Sequence, residues 1–249
     1  MILSRIFNRR RAAPPQTAAA AIRSVALSHV GHVRAINEDR VLDLPDHGLW
    51  AVADGMGGHL SGDVAAQIAV DALGDLAGLA QALTGDDVMA ALQAANTRIY
   101  DRYAAADRRS GTTVVAALRV GDGLEIFWAG DSRGYRSRSG TLELLTHDHS
   151  VVQQMVDAGA LAPCDAASHP KSNVITRALG VDSAVMIDRL AVTLIAGDMV
   201  LLCSDGISRT LGTAMPTAPS LEMLAQAVID QALARDGSDN ASVVLIAAS

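Results

Sequence analysis

The sequence is short of several features that would point to particular classes of protein. It has two cysteines in 249 residues, Cys164 and Cys203, which is too few for a disulfide framework. No apolar run approaches the ~20 residues needed to cross a bilayer, and the N-terminus has no apolar core of a secretory signal. We therefore expect a cytoplasmic protein with no membrane span, and we expect Cys203 to be a buried thiol because it lies in an apolar run.

Positive charge is also scarce. The chain carries 20 Lys and Arg against 27 Asp and Glu, a net charge of -7. This balance disfavours a nucleic-acid partner, because duplex binding takes most of its affinity from Lys and Arg on phosphates. Half of the residues are hydrophobic, which suffices for a sizeable core in one domain. We expect one folded domain, residues 22–249, that is monomeric.

Residues 1–21 differ in composition from the rest of the chain. Four arginines between positions 5 and 11 are followed by Pro14-Pro15 and an alanine tract. This composition is typical of a tail rather than of a folded element, and we predict a flexible tail. The alternative is a weak contact of its apolar positions with anionic lipid or an acidic partner.

Apolar periodicity predicts the secondary structure. Residues at three- to four-residue spacing indicate one helix from Gly62 and another that follows Gly85-Asp86-Asp87 and continues to Tyr103. Short strand-like runs separated by glycine-containing turns predict a meander of three antiparallel strands, at 112–120, 124–129 and 133–139. Further on we expect a short helix at 150–157, an exposed loop at 159–171, a strand at 198–204, a helix at 221–234 and a strand at 241–248. This order is not a regular β-α-β alternation, so we expect sheets covered by helices rather than a doubly wound parallel fold.

Several apolar stretches run directly into an acidic residue. Asp54, Asp131 and Asp205 each end such a stretch, and Asp239 precedes the last one. Buried strands hold their ends rigidly, so these residues are placed to deliver carboxylates to one point. Oxygen ligands suit Mg²⁺ or Mn²⁺, whereas zinc calls for His or Cys, and none of these strand ends offers a His or Cys pair.

A guanidinium and two carboxylates lie close together in the segment Arg34-Ala-Ile-Asn37-Glu38-Asp39. The planar fork of an arginine matches a phosphate. The chain has no G-x-S-x-G elbow and no Cys-x5-Arg loop, so no covalent nucleophile is evident. Carboxylates that hold two cations, together with a phosphate-binding arginine, predict hydrolysis of a phosphomonoester.

Eight short motifs occur in the order of one known family. They are Arg34-x-x-Asn-Glu-Asp39, Val52-Ala-Asp-Gly-Met-Gly-Gly-His59, Ser110-Gly-Thr-Thr113, Ala129-Gly-Asp-Ser-Arg-Gly-Tyr135, Leu145-Thr-x-Asp-His-Ser150, Asn173-Val-Ile-Thr-Arg-Ala-Leu-Gly180, Cys203-Ser-Asp-Gly206 and Asp239-Asn-Ala-Ser242. By these motifs the chain resembles the bacterial branch of the metal-dependent serine/threonine protein phosphatases, type 2C.

The resemblance implies an α+β fold, a four-layer α-β-β-α sandwich in which helix pairs flank two central, mostly antiparallel β-sheets. It implies hydrolysis of phosphoserine and phosphothreonine by a water that bridges two Mn²⁺ or Mg²⁺ ions, without a covalent intermediate. The substrates would be proteins that a bacterial Ser/Thr kinase has phosphorylated.

The resemblance also implies roles for individual residues. Asp54 would bridge the two tightly bound metals, and the carbonyl of Gly55 would bind the second of them. Asp205 and Asp239 would complete the first metal site. Asp131, together with Asp205, would bind a third and weaker metal.

Three further residues would bind groups around these metals. Glu38 and Asp39 would hold metal-bound waters, and Arg34 would bind the substrate phosphate. The acid that protonates the leaving group stays open, because the animal branch has a histidine where this chain has Met56. His59 is the candidate, and the alternative is a loop residue that packs on the helix from Gly62.

Each of these residues also has a structural interpretation. An aspartate before a glycine often caps a turn, and Asp131 could be a hairpin residue. Arg34 could form a surface ion pair with Glu38. His147 and His149 are interpreted as structural. The rival functions are a non-catalytic, phosphoprotein-binding regulatory relative and a metal-dependent phosphodiesterase, which the lack of histidine ligands disfavours.

Overall fold

The computed structural model describes residues 22–57, 61–104 and 110–248. The predicted tail at 1–21 and the candidate acid His59 lie outside the described residues. The strands are β1 (Ile22–His29), β2 (Asp39–Leu44), β3 (Leu49–Met56), β4 (Gly111–Thr112), β5 (Val114–Val120), β6 (Gly123–Ala129), β7 (Arg133–Arg138), β8 (Thr141–Leu144), β9 (Asp188–Thr193), β10 (Met199–Cys203) and β11 (Ala241–Ala248). The α-helices are α1 (Gly62–Gly74), α2 (Gly85–Ala104), α3 (Val151–Asp157), α4 (Asp205–Ser208) and α5 (Leu221–Arg235).

The apolar runs form strands that are buried on both faces. In β3, Trp50 and Val52 pack into the core between the two sheets. The alternate residues Leu49, Ala51 and Ala53 pack under the helices on the other face. Because successive side chains of a strand point to opposite faces, a strand covered on both sides is apolar throughout.

The strands form two antiparallel sheets. One sheet has the order β1-β11-β10-β7-β8, and the other has the order β2-β3-β5-β6-β9 with β4 paired to the end of β3. The sheets face each other across a core that includes Ile126, Leu202 and Val244. Two stacked antiparallel sheets are the sandwich that the resemblance implies.

Helices cover both outer faces. Helices α1 and α2 pack on the sheet that contains β3 and β5. Helix α5 and the one-turn helix α4 pack on the sheet that contains β10 and β11. The predicted α+β class with two central antiparallel sheets is confirmed. The second helical layer consists of one long helix and a single turn.

The predicted three-stranded meander is wrong at its third strand. Strands β5 and β6 form the expected hairpin, with Val114 opposite Ala129. The other edge of β6 is paired with β9, where Ile126 lies opposite Leu190. Since both edges of β6 are occupied, β7 crosses to the other sheet and pairs with β10 and β8. Residues 130–132 make this crossing.

The predicted helices are present with small differences in their ends. Ser150 and Ser220 cap α3 and α5, since each hydroxyl accepts a hydrogen bond from the backbone N–H three residues on, at 3.2 Å. Within the described part of the chain, no helix has the length and apolarity needed to cross a membrane.

Candidate active site

Four aspartates from separate strands line one cleft. Asp54 lies near the end of β3, Asp131 follows β6, Asp205 follows β10 and Asp239 precedes β11. The cleft has a volume of about 250 Å³. Its lining comprises Arg34, Glu38, Asp54, Gly55, Met56, Gly57, Thr113, Asp131, Asn173, Ile175, Asp205, Arg209, Asp239 and Asn240. Most of the predicted site residues therefore share one surface; Asp39 lies just behind it.

The backbone approaches very closely at Gly55. A Cβ at this position would lie 2.2 Å from the carbonyl oxygen of Gly62 and 2.7 Å from that of Glu38. Only glycine fits such a contact. The end of β3 is thereby held against the start of α1 and the segment that carries Glu38.

Asp39 lies beside Asp54 on the neighbouring strand. The two residues are direct partners in the pairing of β2 with β3. Asp39 is 3% exposed, and its Oδ2 accepts a hydrogen bond from the Ser204 hydroxyl at 2.8 Å. Ser204 directly precedes Asp205, so this bond links the two sheets beneath the cleft.

Burial destabilises the charged form of these carboxyl groups. Removal from water raises the pKa of Asp54 well above its usual range, and the neighbouring Asp39 raises it further. Removal from water likewise raises the pKa of Asp39 and of Asp131 to about 7. Removal from water also raises the pKa of Asp205, and the positive charge of Arg209 partly offsets this rise. Crowded, poorly solvated carboxylates are stabilised by a divalent cation that prefers oxygen ligands, so these residues fit Mg²⁺ or Mn²⁺.

Two arginines interact with carboxylates of the cleft. Arg34 Nη2 donates to Asp239 Oδ2 at 2.9 Å, and Arg209 Nη2 pairs with Asp205 Oδ2. The ion pair of Arg34 with Glu38, considered as an alternative, is not the one formed. Across the described residues, no three acidic, His or Cys side chains converge into a ready metal cage. The four aspartates line the cleft together, and two of them, Asp205 and Asp239, are paired with arginines.

Asn240 is a structural residue of the site that sequence reasoning missed. Its Nδ2 donates to the carbonyls of Val30 and Ile36, at 2.8 and 3.1 Å, and its Oδ1 accepts from the N–H of Glu38 at 2.8 Å. It thereby shapes the loop that carries Arg34. The signal was its position directly after Asp239.

Thr113 is a second residue whose role was missed. The segment that contains it was interpreted only as the entry to a strand, and β4 does begin there. Its N–H donates to the carbonyl of Asp54 at 2.9 Å, and its hydroxyl lies 2.7 Å from that of Ser132. Thr113 therefore connects the strand of Asp54 to the turn of Asp131.

The two histidines interpreted as structural lie outside the cleft lining. His147 is exposed, with Nε2 2.8 Å from Asp157 Oδ2. His149 is buried, and its ring contacts the turn before Asp131.

Comparison with known proteins shows similarity over most of the chain. Residues 28–237 match the family model for protein phosphatase 2C. The serine/threonine phosphatase stp of Listeria welshimeri is 36% identical over 232 residues, which cover 87% of this chain and 92% of the relative. The structure of the serine/threonine phosphatase PstP/Ppp of Mycobacterium tuberculosis has 37% identity and a TM-score of 0.84, covering 92% of this chain and 99% of that one. A structure of the PstP catalytic domain in complex with two manganese ions has 35% identity and a TM-score of 0.79, covering 91% and 97% of the respective chains.

Proposed function

The chain belongs to the protein phosphatase 2C family, and we propose that it is a metal-dependent enzyme that removes phosphate from phosphoserine and phosphothreonine in proteins. The observation that carries this proposal is the cleft in which Asp54, Asp131, Asp205 and Asp239 lie beside Arg34. Poorly solvated carboxylates favour divalent cations, and the arginine supplies a group that binds phosphate.

We propose that this cleft holds two Mn²⁺ or Mg²⁺ ions tightly and a third more weakly. Asp54, the Gly55 carbonyl, Asp205 and Asp239 are the ligands of the first two ions. Asp131 is the ligand that distinguishes the third. The raised pKa values of Asp54, Asp131 and Asp205, which burial causes, support this assignment because a cation relieves the cost of their charge.

Bound ions would supply Lewis acidity and an activated water, so the enzyme needs no covalent intermediate. The chain's own groups orient the substrate and the solvent. Arg34 stands at the rim, with half of its side chain exposed, and its fork suits the phosphate oxygens. Glu38 lines the cleft and Asp39 lies behind it, so we assign both to holding waters. His59 stays our prediction for the acid that protonates the leaving group.

The substrates that we propose are proteins phosphorylated by a bacterial Ser/Thr kinase, acted on by a monomeric enzyme in the cytoplasm. Cys164 is exposed and Cys203 is buried.

The test is phosphate release from a phosphothreonine peptide with Mn²⁺, with Mg²⁺ and with EDTA. We expect release that requires metal and is absent in Asp54→Asn. Asp122→Asn is the matched control, since Asp122 is an exposed residue of the turn between β5 and β6. Release that persists in EDTA, or in Asp54→Asn, would contradict the proposal.

The second candidate is a phosphoprotein-binding regulatory module that does not turn over. Two of the proposed ligands favour this candidate, because they already form ion pairs: Asp239 with Arg34 and Asp205 with Arg209. Binding of the phosphopeptide without release, in the presence of bound manganese, would select this candidate.

A further inference from the structure

A buried histidine grips the glycine that precedes Asp131. The backbone N–H of His149 donates to the Gly130 carbonyl at 2.9 Å, and the Gly130 N–H donates to His149 Nδ1 at 3.1 Å. His149 is 7% exposed, so water does not compete strongly for these bonds. The two residues are therefore joined by a reciprocal pair of hydrogen bonds.

The bond from Gly130 determines where the ring carries its proton. A backbone N–H is always a donor, so Nδ1 has to be the unprotonated nitrogen. Burial lowers the pKa of His149, and the charge of Arg177 lowers it further, which favours the neutral ring.

The other ring nitrogen, Nε2, faces a carboxylate that a second residue also binds. Asp188 Oδ2 lies 3.4 Å from His149 Nε2, and Asp188 Oδ1 accepts from Arg177 Nη1 at 2.7 Å. Arg177 Nη1 is 2.9 Å from the same ring nitrogen. Arg177 and Asp188 therefore both contact the ring at Nε2, while Gly130 contacts it at Nδ1. Asp188 begins β9, and this places the ring against a strand of the sheet.

Packing prevents the ring from swinging away. The Trp128 ring stacks on it with 6.3 Å between centroids and 10° between planes. Trp128 is itself held, because its Nε1 donates to the His147 carbonyl at 2.9 Å. The orientation of His149 is therefore set by contacts on its face and on both ring nitrogens.

The turn formed by residues 130–132 is also restricted by contacts with Thr113. Gly130 has φ +117°, and a Cβ there would lie 2.6 Å from the Cβ of Thr113. The hydroxyls of Thr113 and Ser132 lie 2.7 Å apart. Both neighbours of Asp131 in the chain are therefore hydrogen-bonded, Gly130 to His149 and Ser132 to Thr113.

The same histidine supports the neighbouring wall of the cleft. Its carbonyl accepts the N–H of Thr176 at 2.7 Å, and Val151 N–H donates to the carbonyl of Val174 at 2.8 Å. Asn173 and Ile175, which alternate with these residues, line the cleft.

We propose that His149, through its acceptor nitrogen Nδ1, is a positioning residue that holds Asp131 at the place where it binds a divalent cation. This inference rests on the proposed function, since it takes Asp131 to be a metal ligand. The residue acts through the backbone of Gly130 and touches neither metal nor substrate. Partners of this kind typically change metal affinity or activity by about 10- to 100-fold.

Two variants of similar shape separate positioning from packing. Asn at position 149 keeps an acceptor near the place of Nδ1, whereas Leu fills a similar volume without an acceptor. We expect His149→Asn to bind manganese much as the wild type does. We expect His149→Leu to weaken the manganese ion that Asp131→Ala also loses, by about tenfold or more, and to leave the tight ions bound.

The experiment measures Mn²⁺ binding to the full chain by water-proton relaxation, together with kcat and KM for a phosphothreonine peptide. Positioning predicts that His149→Leu lowers kcat at limiting manganese, that added manganese restores it, and that KM changes little. Equal binding in the Asn and Leu variants, whether both retain or both lose the weak ion, would overturn the proposal.

The ring itself provides a readout that needs no activity. In ¹⁵N spectra we expect His149 Nδ1 to be unprotonated, and we expect the Gly130 amide signal to move in His149→Leu but little in His149→Asn. Protonated Nδ1 would refute the proposal even in an active enzyme. Suppose that in the wild type Nδ1 is unprotonated and manganese binds as expected, but no phosphate is released. That result would refute the proposed function and leave the positioning role standing.

Discussion

Arg34 Nη2 lies 2.9 Å from Asp239 Oδ2, although the two residues are 205 positions apart in the chain. Arg34 lies on the loop after β1, and Asp239 lies two residues before β11. Because β1 and β11 are paired over their whole length, from Ile22 opposite Ala248 to His29 opposite Ala241, these two flanking segments leave the sheet together. The arginine is thereby presented at the rim of the acidic cleft.

We expect Arg34→Ala to raise KM for a phosphothreonine peptide by about tenfold, which corresponds to about 1.4 kcal/mol of binding to a charged group. The change removes a contact that substrate and transition state share, so kcat should change less. Steady-state kinetics with saturating manganese checks this. Arg189→Ala is the control. Arg189 lies on β9 outside the cleft lining, and it pairs with Glu125 of β6 and Asp86 of α2. An unchanged KM would mean that another residue binds the phosphate.

We expect Asp54→Asn to lower turnover by about 100-fold or more, because it removes the ligand assigned to both tight ions. In EDTA the same variant should melt at a higher temperature than the wild type. Burial and the neighbouring Asp39 raise the pKa of Asp54, so its charge opposes folding in the absence of a cation. Each 1 kcal/mol would move Tm by about 2–4 °C in a chain of this size. A lower Tm in EDTA would show that the variant is damaged in folding.

We expect Asp131→Ala to reduce turnover of the phosphopeptide while the two tight manganese ions stay bound. Its carboxylate follows β6 and lines the same cleft as the proposed ligands of the tight ions. Metal content after dialysis, measured by mass spectrometry, checks the prediction. Loss of both tight ions would place Asp131 among their ligands.

Without metal, we expect the protein to melt at a higher temperature at pH 5.5 than at pH 7.5. Burial raises the pKa values of Asp39 and Asp131 to about 7 in the folded state. As the pH falls, the folded state therefore takes up these protons near pH 7, whereas the unfolded state takes them up only near pH 4. Stability from these groups therefore increases as the pH falls through 7. The lowered pKa of His149 acts in the opposite direction.

Comparison with Asp131→Asn isolates the carboxylate contribution to this pH dependence. The variant keeps the shape of the side chain but cannot take up the proton, so the difference in Tm between the two pH values should shrink. Saturating manganese should abolish or reverse the dependence in the wild type, since ions stabilise the charged carboxylates. A pH dependence that is unaltered by the substitution would contradict the cause given for it.

We expect Asn240→Ala to destabilise the fold by about 1–3 kcal/mol and to raise KM. It removes two donors and one acceptor that hold the loop of Arg34 and Glu38. Thermal melting and kinetics measured on the same preparation check both effects. A normal KM in the destabilised variant would mean that the loop keeps its shape without the amide.

The sequence predicted the long elements of the fold well because their apolar patterns are strong. β3, β5, β10 and β11 are buried on both faces, and α1 and α2 have clear helical periodicity. Strands β2, β8 and β9 were not identified individually. Strand β8 is short and largely exposed. Strands β2 and β9 each begin with an Asp-Arg pair, which leaves neither with a long apolar run.

The pairing of strands was harder to predict than their existence. Nothing in residues 124–139 distinguishes a third meander strand from one that crosses to the other sheet. The decision depends on β9, which lies about 60 residues further along the chain and occupies the free edge of β6. Long-range pairing of this kind leaves no local signal.

The candidate site was predicted residue by residue from motifs, and Asp54, Gly55, Asp131, Asp205, Asp239, Glu38 and Arg34 line one cleft. What the motifs did not reveal is how these residues are held. Asn240, Thr113 and Ser204 act through hydrogen bonds to backbone or to a buried carboxylate across the fold. Such partners are identified only when the elements are in place.

The pairing of β1 with β11 has a consequence for the order of events on the ribosome. Strand β1, at the edge of its sheet, has β11 as its neighbour, and the proposed ligand Asp239 lies two residues before β11. A nascent chain that has emerged only as far as α5 already contains Asp54, Asp131 and Asp205, yet it lacks both the strand that orders its beginning and the fourth carboxylate. The proposed site is therefore complete only after β11 has been synthesised and has closed the sheet.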